Sequence, residues 1–295
     1  MIAFPETVLE RVCAAVGETE ADNTAFLPAN VVEATGFARR RVAAAGESLF
    51  DLAMRAARQI PAEELAEVGG VVAATFSHEM RFPALAVRVA SALGLPPSTP
   101  AFDLQMACSA YPYAVYLAAR MSADTGRRVL IVNGDLQSPL ADPSDAVTAP
   151  LFSDAATATL VRSSGSGISH FAALSRHSDV LSCPASGPVK MDGFGVFSFV
   201  ATEVAPFLAE FVKDAGEPPF DGFVPHQANM YMVRRLASSL GMSDILLTSG
   251  EEFANPGSCS IPLTLATRAR PGRYLLAGFG AGLSAAAVTV RFSQP

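Results

Sequence analysis

The 295-residue sequence has no tryptophan, only four cysteines, and charged residues at 17% of its positions. The cysteines, Cys13, Cys108, Cys183 and Cys259, lie far apart and form no CxxC pair. We therefore expect neither a disulfide framework nor a metal site. The net charge of −7 and the pI near 5.1 argue against nucleic acid and anionic membranes as partners.

Long apolar runs and targeting signals are also missing. No uninterrupted apolar run reaches about 18 residues, and the N-terminal MIAFPETVLERV lacks the basic start and apolar core of a secretory signal. Together with the unpaired cysteines, this predicts a cytoplasmic protein. Hydrophobic residues make up 50% of the chain and are spread along it, which suffices for one large domain or two packed halves.

Helical and strand-like segments alternate along the chain, as in α/β proteins with parallel sheets. Hydrophobic periodicity predicts helices over 46–60, 82–95 and 194–212, and strands over 68–76, 127–135 and 155–162. Near residue 163 the stretch SSGSG is the most linker-like segment, and a similar element order follows it. The sequence therefore suggests two duplicated halves, 1–163 and 164–295.

Three polar side chains lie where a strand or loop meets the start of a helix. Cys108 follows the strand-like PAFDLQMA, His226 follows the apolar strand in FVPHQANM, and Asn255 lies in the Pro/Gly turn of FANPGSCS. Sites in α/β proteins assemble at the carboxyl ends of strands. A thiol at a helix N-terminus is also expected to have a lowered pKa. Thiol, imidazole and carboxamide together suit acyl transfer through a covalent intermediate.

Each of these residues also has an ordinary structural explanation. A cysteine among alanines is usually a small core residue, a histidine after a strand is often a hydrogen-bonded structural group, and asparagine favours turns. Their shared setting at strand-to-helix junctions favours the catalytic interpretation over three separate structural ones.

Other motifs occur in one order over roughly residues 35 to 292. They are TGFARRRVAA, FPALAVRVASALGL, PAFDLQMACSA, DPSD with LFSDAATATLV, KMDGFGVFSFV, VPHQAN, NPGSCSIP and GFGAGLSAAAVTVRF. In type and order they resemble the motifs of the β-ketoacyl-acyl-carrier-protein synthase III family, within the thiolase fold superfamily. The resemblance implies a five-layered αβαβα sandwich of two duplicated halves, usually a homodimer.

The resemblance also implies roles for individual residues. Cys108 matches the nucleophile that takes up an acyl group from coenzyme A or an acyl carrier protein. His226 and Asn255 match the pair that supports decarboxylation of a malonyl thioester, and the backbone N–H groups of Cys108 and Ala281 would form the oxyanion hole. No cofactor or metal is implied. The implied substrate-pocket residues are Phe82, Asn229, Gly280 and Gly282.

Phe82 matches a residue that, in this family, reaches across the dimer to line the partner's acyl pocket. A phenylalanine before a helix-starting proline can equally be a hydrophobic staple. A further departure is the N-terminus, where we expect no strand before FPETVLERV although the family has one.

The coenzyme A contacts of the family are altered in this sequence. The family's adenine-stacking tryptophan and its neighbouring arginine are matched by Asn30 and Ala34, and the arginine after its DPTD motif is matched by Ala146. These changes remove stacking and cation–π contacts with adenine. We therefore expect retained acyl chemistry with altered recognition of the thioester handle, in specialised fatty-acid or polyketide-type biosynthesis.

A carrier-docking position is also changed. The basic residue that follows the family's HQAN motif is Tyr231 here, and the nearest arginines are Arg234 and Arg235, one turn further along the helix. These two arginines could substitute for the missing basic residue, although two arginines on a helix are ordinarily part of a solvent-exposed face.

Three other functions remain open at this stage. The protein could transfer an acyl group to a hydroxyl or amine without forming a carbon–carbon bond, with His226 as general base. It could be a catalytically silent partner subunit, although such a subunit need not keep all three site residues. A papain-like peptidase also orders Cys, His and Asn along the chain, but its CGSCW setting is absent.

Overall fold

The computed structural model describes residues 1–25, 27–145, 148–216 and 219–294, which form twelve strands and ten α-helices. The strands are β1 (Ile2–Val16), β2 (Thr19–Asp22), β3 (Arg39–Val42), β4 (Val68–Ala74), β5 (Ala101–Leu104), β6 (Arg128–Leu136), β7 (Asp154–Ser175), β8 (Leu181–Ser182), β9 (Lys190–Met191), β10 (Gly222–Pro225), β11 (Gly272–Gly280) and β12 (Ser284–Phe292). The helices are α1 (Ala29–Thr35), α2 (Leu49–Ala57), α3 (Ala62–Leu65), α4 (Leu85–Ala92), α5 (Ala110–Thr125), α6 (Gly193–Phe199), α7 (Ala205–Ala215), α8 (Met230–Ser239), α9 (Gly250–Phe253) and α10 (Ser260–Arg268). Ala146, a position singled out in the sequence, lies outside the described residues.

Eight strands are hydrogen-bonded in the order β10-β11-β12-β1-β7-β6-β4-β5. Strands β4, β5 and β6 are parallel, as are β10 and β11. Strand β7 is antiparallel to β1 and β6, and β12 is antiparallel to β11 and β7. The parallel strands of both halves are linked through helices, which confirms the predicted α/β class.

Five layers follow from the way the hydrophobic residues pack. Helix α5 contributes to one core shared with β4, β6 and β7 on one side and with β10, β11 and β12 on the other. Helices α2 and α4 cover the outer face of the first group of strands. Helices α6, α7 and α8 cover the outer face of the second group. Helix α5 is therefore enclosed between two sheet faces, and its first turn lies deep in the molecule.

The predicted linker at SSGSG lies within strand β7. Residues 2–5 of β1 pair with 168–171 of β7, and residues 7–16 pair with 155–163, with a register shift between Pro5 and Thr7. Residues 164–167 are therefore accommodated as an irregularity in a continuous strand. Glycine and serine tolerate such a bulge as readily as a loop, which is why the sequence pattern is ambiguous. The division into 1–163 and 164–295 stays a prediction.

The expectation that the N-terminal strand is missing is wrong. Strand β1 begins at Ile2 and contains the whole of FPETVLERV. Register shifts after Pro5 and after Leu9 interrupt its alternation of buried and exposed residues. Because strand prediction depends on regular alternation, a strand with two such shifts is not visible in the sequence.

Helix α4 begins two residues later than Pro83, which the sequence pattern placed in its first turn. The helix starts at Leu85, and the Asp103 carboxylate of β5 accepts hydrogen bonds from the backbone N–H groups of Leu85 and Ala86, both at 2.8 Å. A carboxylate at this place satisfies free N–H groups of the first turn and interacts favourably with the helix dipole. The capping residue is distant in sequence, so no local motif marks this boundary.

One long apolar helix extends over 193–215, formed by α6, a π turn over Val200–Val204, and α7. By length and composition alone it would suffice to cross a membrane, with a mean hydropathy of 1.5 over its most apolar window. Its buried face, which includes Phe199 and Leu208, packs against Phe223 and Leu275 of the sheet. Core helices satisfy the same criterion, so this is weak evidence for a membrane span.

Candidate active site

Cys108 lies in a sharp connection between β5 and α5. A 3₁₀ turn over Ala107–Ser109 precedes the α-helix, which begins at Ala110 rather than at Cys108 as predicted. Ala107 has a φ of +41°, in the left-handed region that alanine rarely adopts. Such strain persists only where the surrounding structure holds the backbone in place. The turn directs the partly buried Cys108 side chain into a cavity.

The glycine-rich turn after β11 lies directly against the Cys108 sulfur. The Ala281 N–H donates a hydrogen bond to the thiol, and the backbone N–H of Cys108 itself is also directed at the sulfur. A Cβ on Gly280 would lie 3.0 Å from Cys108 Sγ, so only glycine allows this approach. The two N–H groups that the sequence assigns to an oxyanion hole thus converge at the nucleophile.

Burial raises the pKa of the Cys108 thiol to about 11, although the Ala281 N–H opposes this effect. The expected lowering of the pKa by the helix terminus is therefore wrong for the resting protein. Desolvation disfavours the thiolate because water is excluded from the sulfur, and in this site it outweighs the backbone donors. Cys108 is consequently a thiol near neutral pH, and to act as a nucleophile it would have to lose its proton.

His226 follows β10 and is almost fully buried. Its Nδ1 lies 3.0 Å from the Gly257 carbonyl oxygen and 2.9 Å from Ser260 Oγ. A carbonyl only accepts, so the contact with Gly257 requires a proton on Nδ1 and leaves Nε2 as a base. The Ser260 hydroxyl could instead donate to Nδ1, which puts the proton on Nε2. Burial lowers the pKa of His226 to about 4, so the ring is neutral near pH 7.

Asn255 is held by its own turn and by neighbouring loops. Its backbone N–H donates to the Leu151 carbonyl oxygen at 3.0 Å, and its carbonyl oxygen accepts from Gln137 Nε2 at 2.9 Å. Its Oδ1 accepts from the Gly257 N–H at 2.9 Å, which leaves the Nδ2 donor available for a ligand. Ala254, just before it, has a φ of +51°, so the residues preceding Cys108 and Asn255 are both strained.

One cavity of about 80 Å³ joins the catalytic candidates. Cys108, His226 and Asn255 all line it, although they come from distant parts of the chain. A nucleophile, a base or hydrogen-bond donor, and a carboxamide donor around one cavity can perform acyl transfer through a thioester intermediate. The other lining residues are Leu151, Phe152, Leu181, Met191, Gly193, Val196, Ala228, Asn229, Met232, Phe279 and Gly280.

The remaining predicted pocket residues differ in position. Asn229 and Gly280 line the cavity, and Asn229 Oδ1 also caps α8 by accepting from the Met232 N–H at 2.8 Å. Gly282 and Phe82 are not among the lining residues of this single chain, and Phe82 is 83% exposed. Their roles stay predictions.

Gly257 is the residue that sequence reasoning missed. Its carbonyl oxygen binds His226 and its N–H binds Asn255, so one peptide segment orients both side chains. Its φ of +65° requires a conformation that glycine adopts easily. The sequence does show this glycine in NPGSCS, between two turn-forming residues, which indicates a turn. That pattern does not indicate that the glycine carbonyl binds the distant side chain of His226.

A second pocket of about 490 Å³ lies between α1 and α8. It is lined by Asn30, Glu33, Ala34, Tyr231, Arg234, Arg235 and Ser238, so the altered handle-recognition positions lie together. Arg234 forms a 2.9 Å ion pair with Glu251. Arg235 forms no ion pair with any residue in the described ranges, and Tyr231 stacks on Phe197 at 6.1 Å between ring centroids.

Comparisons with known proteins agree with this geometry. A family model described as 3-oxoacyl-[acyl-carrier-protein (ACP)] synthase III matches residues 102–179, and the C-terminal model of the same family matches 219–292. A β-ketoacyl-[acyl-carrier-protein] synthase III of Rhodospirillum rubrum is 34% identical over 288 residues, which cover 88% of this chain and 89% of the relative.

Solved structures confirm the predicted thiolase-like fold. A 3-oxoacyl-(acyl-carrier protein) synthase of Burkholderia xenovorans superposes with a TM-score of 0.93 at 27% identity, over 99% of this chain and 95% of that chain. The priming β-ketosynthase of a polyketide biosynthetic pathway superposes with a TM-score of 0.89 at 26% identity, over 99% of this chain and 98% of that chain.

Proposed function

We propose, from the premise that this chain belongs to the 3-oxoacyl-[acyl-carrier-protein] synthase III family, that it forms an acyl-enzyme on Cys108 and condenses it with a malonyl-type thioester. The observation that carries the proposal is the single cavity onto which Cys108, His226 and Asn255 open. The cytoplasm is the proposed location.

In the first half-reaction the Cys108 sulfur attacks the carbonyl carbon of an acyl thioester. The thiol proton is accepted by Nε2 of neutral His226 and is then given to the sulfur of the departing carrier thiol. A new C–S bond forms, the old one breaks, and no net proton is released. The N–H groups of Cys108 and Ala281, which are both directed at the sulfur, would bind the negative oxygen of the tetrahedral intermediate.

In the second half-reaction a malonyl-type thioester occupies the same cavity. Loss of CO₂ leaves an enolate, whose oxygen is stabilised by Asn255 Nδ2 and by His226 after its ring proton has moved from Nδ1, where the first half-reaction leaves it, to Nε2. Ser260 Oγ, 2.9 Å from Nδ1, supplies the donor that this tautomer needs. The enolate carbon then attacks the carbonyl carbon of the acyl-enzyme, the C–S bond to Cys108 breaks, and the released thiolate takes up one proton from solvent.

The test of this function follows carbon dioxide and product together. Incubation of the acylated protein with a malonyl carrier thioester is expected to release one CO₂ per β-ketoacyl product, measured with labelled malonyl carbon and by mass spectrometry. Acyl transfer to an added alcohol or amine without CO₂ release would instead support the non-condensing acyltransferase. Absence of an acyl adduct with every donor would support the silent subunit.

We also propose a homodimer, which the exposed apolar residues around β5 support. Strand β5 is at the edge of the sheet, and Phe102 within it is 38% exposed. Helix α4 packs beside β5, and Phe82 and Val87 near it are 83% and 45% exposed. Edge strands and large exposed apolar side chains need protection from solvent, and a second copy would provide it.

We propose that the protein recognises its acyl donor through the carrier protein and not through the adenine of coenzyme A. The pocket between α1 and α8 has Asn30 and Ala34 at the stacking positions, which offer no ring or charge to adenine. Arg235 supplies a positive charge at its edge, and acyl carriers present a phosphodiester. A specialised biosynthetic pathway is consistent with such a change.

Replacing Arg235 by glutamate tests this mode of binding. We expect the KM for an acyl carrier protein donor to rise about fivefold or more, with kcat little changed, because charge steers association rather than the chemical step. The matched control is Arg58→Glu, which reverses an exposed charge just after α2 on the opposite outer layer. Equal effects of both variants, or a larger effect on an acyl-CoA donor, would contradict the proposal.

A further inference from the structure

A buried carboxyl group, that of Asp135, lies beneath the candidate active site. Asp135 is on β6, and its side chain is completely buried. Its Oδ1 accepts four hydrogen bonds: from Thr75 Oγ1 at 2.9 Å, the Phe76 N–H at 2.9 Å, the Ser77 N–H at 3.2 Å, and Ser77 Oγ at 3.0 Å. One oxygen thus holds all of these donors, and the carboxyl group is fixed in a single orientation.

The other oxygen, Oδ2, is buried and has no hydrogen-bond partner in the described part of the chain. It is directed at the turn that holds the catalytic side chains, because a Cβ on Gly257 would lie 3.2 Å from it. A buried oxygen without a partner is costly, and natural proteins keep few of them. This arrangement is typical of groups retained for a role other than stability.

The 3₁₀ turn that carries Cys108 packs against the turn over Gly257–Cys259, which itself lies against Asp135 Oδ2. A negative Asp135 raises the pKa of the Cys108 thiol, and it has the same effect on the buried thiol of Cys259. The hydrogen-bond donors to Asp135 are the neutral groups of Thr75, Phe76 and Ser77, and the thiols whose pKa it raises are those of Cys108 and Cys259. Burial raises the pKa of Asp135 itself to about 7, so its charge changes near physiological pH.

We propose that Asp135 is a positioning residue whose buried carboxyl group, directed at the Gly257 turn, controls how readily the Cys108 thiol loses its proton. When Asp135 is protonated, the sulfur can become negative without a like charge nearby. When Asp135 is ionised, the thiolate is opposed by a second buried negative charge. This inference rests on the proposed function, in which Cys108 is the nucleophile.

Alkylation of Cys108 by iodoacetamide tests the inference without any acyl donor. The full chain with Cys183→Ser, which removes the exposed thiol, is compared with the same chain carrying Asp135→Asn, between pH 7 and 12, a range that includes the Cys108 pKa of about 11. Asparagine keeps the carbonyl oxygen that accepts the four hydrogen bonds and replaces the unpartnered Oδ2. We expect the alkylation midpoint to move to lower pH by about half a unit, about threefold in rate at pH 8.

The matched control is Asp154→Asn, because Asp154 is also fully buried but both of its oxygens accept hydrogen bonds. It should leave the alkylation midpoint unchanged even if the melting temperature falls. An unchanged or higher midpoint in folded Asp135→Asn overturns the inference, and Asp135→Ser provides the measurement if the asparagine variant does not fold. A shifted midpoint in a protein that forms no acyl adduct would contradict the proposed function alone.

Discussion

Cys108→Ala is expected to abolish the acyl adduct and to lower the rate of β-ketoacyl product formation by about 10⁴-fold or more. The reason is that the described residues lining the cavity include no second nucleophile: His226 is buried with its Nδ1 engaged, and Asn255 is not nucleophilic. Intact-protein mass spectrometry after incubation with acyl-CoA and acyl carrier donors measures the adduct, and peptide mapping locates it.

Cys183→Ala is the control for this variant, since Cys183 is the exposed cysteine and reacts non-specifically if any does. It should keep both the adduct and the turnover. An adduct that survives in Cys108→Ala, on any residue and at an unchanged rate, would remove Cys108 from the mechanism. Loss of the adduct in Cys108→Ala would report on the nucleophile and not on unfolding, because alanine fits where the partly buried thiol stood and α5 begins beyond it.

Gly257→Ala is expected to lower the rate of condensation about 100-fold while acylation of Cys108 falls much less. A Cβ at this position would lie 3.2 Å from both Asp135 Oδ2 and Gln137 Nε2, and the φ of +65° is unfavourable for alanine. The turn must shift, and both His226 and Asn255 shift with it. Condensation uses both His226 and Asn255, whereas acylation uses His226 alone and Cys108 itself is held by the turn at Ala281, so adduct formation falls less. Condensation is measured as the rate of CO₂ release and acylation as the rate of adduct formation, and the losses of the two rates relative to the unchanged protein are compared.

Gly241→Ala provides the matched control for the backbone strain. Gly241 has a φ of +67°, and a Cβ there would meet nothing within 4 Å. The same conformational cost of about 1–2 kcal/mol should lower stability without changing either half-reaction beyond about twofold. If the two alanine variants slow condensation equally, the kinetic effect of Gly257→Ala is one of stability and not of site geometry.

The main helices and strands were predictable because their periodicity is local. The helices in 46–60 and 194–212 and the strands over 68–76 and 127–135 are confirmed, with ends shifted by a few residues. The N-terminal strand β1 was not predictable, because its two register shifts follow from pairing with β7, which is more than a hundred residues away in the chain. The start of α4 was misplaced for the same reason, since its capping carboxylate comes from another element.

The candidate site also combines features set by local sequence with features set by long-range packing. By itself the sequence determined the groups on which the proposed acyl chemistry depends, because thiol, imidazole and carboxamide at Cys108, His226 and Asn255 are set by residue type and motif order. Only the tertiary structure decided the protonation of that thiol and the arrangement around it. Desolvation depends on what packs over a side chain, and Asp135 and Gly257 reach the site through the fold and not through proximity in the chain.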